Sequence, residues 1–563
     1  MRLATKRRRA IASVLTVCTL VGGVLVAFAP GAAGARSATI RHASATRGTI
    51  SRVGTVNPLT LPHATSQKAT TQTRSKGARS THGAQTASVA TTNRAATGQS
   101  VALTPKRDEN GGLLENFNGS SSLDSAVTNF GLEFEPPDQG LCVGKDVVMD
   151  PVNSAYSIFT RNGTVIAGPF NVNALFNEGL TEFTSDPRCY YDQSTNTWYA
   201  TILFISSDNM HARTDLAVNA SGNPATPWTL YQIDATDDGS NGTPNHPGCP
   251  CFGDQPLFGI DGQNIYISTN EFSILGPAFN GAQIYVLPKS ELVALSPTVK
   301  VVHFDNLNIG DSIAASVQPA ITNGDANAEY FLSSLDPNGT GDNRLGVWAM
   351  TNRGAVAEGG MPTLSSEVIT SEDYGIPPNA VQKGASSLLN SDDDRMQQVQ
   401  FIHGNLWGSL DTTFTPKGSS TPLAAIAWFH VRPHLAGDTL GGATLSRQGY
   451  VVSAGNFLLY PAIQVSGNGT ASLVFTISGP DLYPSAAYAL MRPGHKSFDA
   501  IHIAAMGTGP YNVTSTRWGD YSASVVDPTH ASFWMATEYI PPVSSQTPDG
   551  QQNWGTRVLE VAY

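Results

Sequence analysis

Seven stretches of the chain place a polar or charged residue where an alternating apolar run begins. Asp138, Asp186 with Arg188, Asp254 with Gln255, Gln318, Arg395, Tyr460, and Arg517 with Asp520 and Tyr521 hold these positions. Carboxylates so placed could do three kinds of work. A facing pair could hydrolyse a glycosidic bond, as acid and as base or nucleophile; Asp186, Asp254 and Asp520 are the candidates for catalysis. Carboxylates and backbone carbonyls could instead hold Ca²⁺. Each Asp could also accept from backbone N–H groups and fix the turn it opens. Arg188 and Arg517 would pair with the acids or grip an anionic ligand through two parallel hydrogen bonds. With Asp138, Gln318, Arg395, Tyr460 and Tyr521 they make the candidate ligand-binding set.

Other chemistry is thinly represented. There is no His-Glu-x-x-His, no G-x-S-x-G elbow and no P-loop. Two acidic loops, DATDDGSNG at 234–242 and NSDDDR at 390–395, lack the spacing of an EF-hand loop. Asp394 and Arg395 lead directly into an apolar run, so the second loop belongs with the candidates above. Beyond residue 35 lie four cysteines, Cys142, Cys189, Cys249 and Cys251. An even number in an exported chain implies disulfides. Cys249 and Cys251 are too close in sequence to favour each other, so each is expected to pair with Cys142 or Cys189. A zinc site is the alternative, though paired Cys-x-x-Cys spacing is missing.

The elements that must position these residues are strands. Residues 108–563 show almost no helical period, and Asn-Gly turns at 162, 323, 338 and 468 punctuate them. A strand, a turn and a second apolar or aromatic strand recur seven times, from Pro137, Ser185, Gly253, Ser316, Arg395, Leu459 and Arg517. Further strand-like runs such as GAQIYVLP and AAIAWFHV lie between them. A period near sixty with four strands per copy fits a blade of a β-propeller. The expected fold is all-β: one propeller of seven four-stranded blades over 108–563, with six or eight as alternatives. The last copy ends with its third strand, TRVLEVAY. The segment around 113–120 is expected to supply the missing strand and close the ring. Trp198, Tyr266, Trp348, Trp407 and Trp534 are read as recurring in second strands and are expected between blades.

Upstream, Arg2, Lys6, Arg7, Arg8 and Arg9 precede an apolar run over 10–29 and small residues to Ala35. This reads as a secretory signal over 1–35, with an uncleaved anchor as the alternative. No later stretch is apolar enough to span a bilayer. Residues 36–107 carry eleven Arg and Lys and no acid among Thr, Ser, Ala and Gln. Such a segment is expected to be a disordered basic leader. The remainder holds 17 Lys and Arg against 44 Asp and Glu, a balance of −27, which argues against nucleic acid as partner.

The runs SDPRCYYDQSTNTWYA, SDDDRMQQVQFIHGNLWGS and RWGDYSASVVDPTHASFWMATEY resemble a family of largely uncharacterised secreted bacterial β-propeller proteins. That family is loosely similar to sialidase-like propellers. The Arg-Ile-Pro segment and Ser-x-Asp-x-Gly-x-x-Trp boxes of sialidases do not occur here, so the resemblance does not imply sialidase activity. The expectation is a secreted, extracellular or cell-wall-associated monomer. It would bind a glycan or surface ligand at the mouth of the central channel without catalysis. The alternative is a glycan-active hydrolase or lyase using the channel carboxylates.

Overall fold

The computed structural model describes residues 41–43, 45–61, 74–75, 103–107, 112–335, 341–513, 516–542 and 553–563. The signal expected over 1–35 and most of the segment read as a leader lie outside them.

Hairpin-forming alternation builds seven antiparallel sheets of four strands each. Blade 1 comprises Cys142–Val143, Val147–Val152, Ala155–Thr160 and Val165–Phe170. Blade 2 runs through Phe183–Asp192, Thr197–Ile205, Ala212–Asn219 and Trp228–Asp234. Blade 3 holds Cys251–Ile260, Asn264–Ser273, Phe279–Pro288 and Thr298–Phe304. Blade 4 holds Gln318–Asn323, Glu329–Ser334, Asp342–Thr351 and Thr363–Tyr374. In blade 5 the strands are Val399–Ile402, Asn405–Phe414, Leu423–Ala436 and Thr439–Val451. Blade 6 is Phe457–Val465, Ala471–Gly479, Leu482–Met491 and His502–Ala505.

Blade 7 takes three strands from one end of the fold, Ala523–Val526, Ser532–Tyr539 and Gly555–Ala562, and its fourth, Leu113–Ser121, from the other. The joining ladder is antiparallel, from Gly555↔Ser121 to Val561↔Leu113. The ring therefore closes as the sequence predicts.

Each blade is apolar on both faces, and packing between neighbours buries those faces. Blades 1 and 2 meet through Met149 and Ile158 against Trp198 and Ala200. Blades 6 and 7 meet through Val474 and Tyr488 against Phe533 and Leu559. Blade 7 meets blade 1 through Trp534 and Val558 against Val148 and Phe159, which makes this a β-propeller of seven blades. The first strands of blades 3, 4 and 5 run parallel side by side, pairing Ile260 with Ile321 and Ala320 with Val399. First strands are thus the innermost, around a common axis. Trp198, Tyr266, Trp348, Trp407 and Trp534 are all buried.

Two expectations need correction. Within the segment read as disordered leader, Ala45–Val56 is a twelve-residue strand. It pairs antiparallel with the outermost strand of blade 3 (Thr298↔Ser51 to Phe304↔Ala45) and that of blade 2 (Trp228↔Val56 to Tyr231↔Arg52). Arg41–His42 adds to blade 4, and Lys106–Arg107 adds to blade 6 in parallel. Composition reflects side chains alone. Here the outer edges of the blades offer unpaired backbone groups, and an extended segment satisfies them while burying only Ile50 and Val56 deeply.

The cysteines pair as Cys142–Cys189 and Cys249–Cys251. Innermost strands align through their bulges, so Cys189 of blade 2 lies level with Phe258 of blade 3. Cys251 is then seven residues away along its strand, about 23 Å. The two pairs therefore lie well apart along the strand direction and cannot exchange partners.

Candidate functional site

The sequence candidates lie at the leading ends of the innermost strands, where a repeated local device aims them. Asp186, Gln255 and Tyr460 each precede a proline and adopt left-handed backbone, with φ of 60°, 50° and 55°. The strand ladder slips at each, between Ser185 and Arg188, Asp254 and Leu257, and Leu459 and Ala462. Such a bulge turns one side chain out of the sheet alternation, here towards the axis. Asp138 shares the conformation, with φ of 48°.

Three of these carboxylates converge. Oxygens of Asp138, Asp186 and Asp520 lie within 4.8 Å of one another. The residues are 0%, 0% and 3% exposed. Asn153 ties two of them together: its Nδ2 donates to Asp138 Oδ2 (2.7 Å), and its Oδ1 accepts from the Asp186 backbone N–H (2.8 Å). The Gln255 N–H donates to Asp186 Oδ2 at 3.2 Å.

Arginines supply the counter-charge. Arg517 pairs with Asp520, and its Nη1 is 3.7 Å from Asp392 Oδ1. Burial works against the Arg517 charge; Asp520 and Asp392 outweigh it and raise its pKa. Arg395 grips Asp393 with both forks at 2.7 Å, reaches Asp392 at 3.1 Å and donates to Gln255 Oε1 at 2.7 Å. The Arg188 guanidinium lies 3.1 Å from the centroid of the Tyr521 ring, and burial pushes that phenol well above its ordinary pKa.

The remaining candidates serve the backbone. Tyr460 donates to the Asn390 carbonyl at 2.8 Å, and its own N–H rests on Asp411. Gln318 donates to the Pro319 carbonyl at 3.2 Å. Asp254 is buried within the blade 3 ladder opposite Asn270 and is not one of the three clustered acids. The leading end is therefore a buried network of acids and arginines. Asn153, Asp392 and Asp393 complete it. The 390–395 acid run signalled the last two; nothing local signals Asn153.

The opposite, trailing ends frame a cavity of about 360 Å³. Blades 2, 3, 4 and 7 line it with the turns after their first strands, and blade 6 contributes Gln464. In blades 2, 3 and 7 an Asp closes that turn by accepting N–H groups that follow it. Asp192 accepts from Ser194, Asp261 from Gln263 and Asn264, and Asp527 from Thr529 and His530. Lys289 reaches in from blade 3, 3.0 Å from Asp192 Oδ2 and donating to the Asp261 carbonyl at 2.7 Å. Burial opposes ionisation of Asp192; hydrogen bonds from Thr195 and Ser194 and the Lys289 charge outweigh it and hold its pKa below the usual value. Tyr190, Tyr191, Asn323 and Asp325 add rings, an amide and a carboxylate. In sequence these residues read only as hairpin turns, because their convergence depends on ring closure.

No family model matches the chain, and no curated protein matches it in sequence. Several solved structures are similar at a distance. Phage phi92 endosialidase is 10% identical with a TM-score of 0.34, over 65% of this chain and 66% of that one. The GH93 α-L-arabinofuranosidase of Fusarium graminearum, solved with arabinobiose, is 9% identical with a TM-score of 0.33, over 79% and 97%. Drosophila Plexin A, solved in complex with Semaphorin 1b, is 10% identical with a TM-score of 0.33, over 81% and 88%. Similarity this distant transfers no activity.

Proposed function

We propose that this is a secreted, non-catalytic binding protein that takes a glycan or similar polyhydroxylated surface ligand at the trailing mouth of its central channel. One contrast carries the reading. The acids that hydrolysis would need are buried and held by arginines and backbone, whereas the opposite mouth opens into a cavity of about 360 Å³. Glycosidases keep a carboxylate pair about 5–10 Å apart across an open cleft. Asp138, Asp186 and Asp520 crowd within 4.8 Å of one another beneath protein. The cavity lining, with carboxylates, amides, hydroxyls and tyrosine rings, suits a ligand rich in hydroxyl groups.

The test is a glycan array with a reducing-sugar assay on the exported chain. Binding without turnover is expected. Asn323→Trp, which fills the cavity from a turn, should weaken binding more than tenfold with an unchanged melting temperature. Asp520→Ala should lower the melting temperature, since stripping one partner from a buried pair costs about 3–5 kcal/mol. Turnover of any arrayed glycan, or binding indifferent to Asn323→Trp, overturns the proposal.

A further inference from the structure

Away from the axis, the loop joining blades 2 and 3 folds its acidic run over the second strand of blade 3. Asp237 and His246 from that loop meet Glu271 from the strand, and ligand-capable atoms of all three lie within 4.8 Å of one another. All three are buried, Asp237 and Glu271 at 1% exposure. His246 Nδ1 is 2.8 Å from Glu271 Oε2 and 3.8 Å from Asp237 Oδ2. Its other nitrogen, Nε2, is 3.4 Å from Asp305 Oδ2. Asn280 Nδ2 donates to Glu271 Oε1 at 3.0 Å, and Gln283 donates to Oε2.

The feature that points to a ligand is Asp237. Among the described residues, neither of its carboxylate oxygens accepts a hydrogen bond, and its ion contact is the 3.8 Å approach to His246. A buried carboxylate without hydrogen bonds is costly. Around this one imidazole stand three acids, Asp237, Glu271 and Asp305. The cluster is short of positive charge.

We infer that Asp237, His246 and Glu271 form a binding site for a divalent transition-metal ion of the zinc class. Metal–nitrogen and metal–oxygen bonds near 2.0–2.2 Å put tetrahedral donor atoms about 3.4 Å apart. The observed 2.8 and 3.8 Å straddle that spacing. The ion would sit between Nδ1 and the two carboxylates. Asp305 would then hold the far nitrogen, as carboxylates commonly do for metal-bound histidines, and Asn280 would orient Glu271. An imidazole donor favours zinc-class ions over calcium or magnesium. The neighbouring sulfurs of Cys249 and Cys251 are joined as a disulfide and take no part.

The full exported chain, oxidised and stripped with chelator, tests this. After gel filtration with excess Zn²⁺, one equivalent should remain bound. Asp237→Asn removes a donor that makes no hydrogen bond. It should weaken Zn²⁺ binding at least tenfold while leaving the metal-free melting temperature unchanged or higher. The Co²⁺ form should lack a thiolate-to-metal charge-transfer band. Retention below a tenth of an equivalent, wild-type affinity in Asp237→Asn, or a thiolate band would each overturn the site.

Discussion

Asp150 shows how one side chain locks the closure. It is fully buried in the second strand of blade 1. Its Oδ2 accepts from the Ser120 N–H (2.7 Å) and the Thr556 hydroxyl (2.6 Å), groups on the two strands that seal blade 7. A methyl group on Gly119 would collide with this carboxylate and that hydroxyl, so the approach requires glycine. Burial raises the Asp150 pKa to about 6, against the pull of its hydrogen bonds from Thr556 and Ser120. A carboxyl whose folded pKa is raised stabilises the fold fully below its unfolded pKa near 4. That contribution is lost as pH climbs through 6, a swing of about 3 kcal/mol. Asp150→Asn keeps an acceptor oxygen and cannot ionise. Its melting temperature should exceed that of the natural protein at pH 7.5, and the two should converge near pH 4. Parallel melting profiles across pH 4–6 would show that Asp150 ionises normally.

The strand Ala45–Val56 is the clearest case at the scale of elements. It covers two adjacent blade edges and has most side chains exposed, with Ile50 and Val56 as its buried anchors. Ile50→Asp should therefore release it. Trypsin should cut the natural protein slowly at Arg47 and Arg52, and the variant at least ten times faster. Cutting of the natural protein at the rate of an unfolded peptide would refute the pairing. What could be read in advance follows the same physics. Repeated hairpins announced the blades, because period and turn chemistry are local. Ala45–Val56 was hidden because its binding is through backbone. The trailing-mouth aspartates, Asp192, Asp261 and Asp527, read as turn residues, and they are that too. Only the ring makes them neighbours. At the leading end the residues were legible, as was the pairing of Arg517 with an acid; the sharing of Asp392 by Arg395 and Arg517 was not, since it joins distant segments.

For the molecule as a whole, stability depends on an unbroken circle of inter-blade contacts. Cys142–Cys189 fastens the first two blades across 47 residues. A loop of that length is worth roughly 4 kcal/mol to the fold in the chain-entropy account, so serine at both positions should lower the melting temperature measurably. Deleting residues 108–125 removes the fourth strand of blade 7 and bares the edge of Gly555–Ala562. The melting temperature should then fall by roughly 10 °C; an unchanged melt would mean the seal is dispensable.

That seal also sets a timetable. Ser120 and Thr556 touch although 436 residues separate them. A ribosome adding roughly 5–20 residues per second takes about 20–90 seconds to cover that distance. Throughout that interval the early strand has no partner, and the first blade has no neighbour on one side. A chain truncated just before Gly555 would keep both edges open permanently, a template for aggregation. The ring can thus be finished only once Gly555–Ala562 has been made and has met Leu113–Ser121.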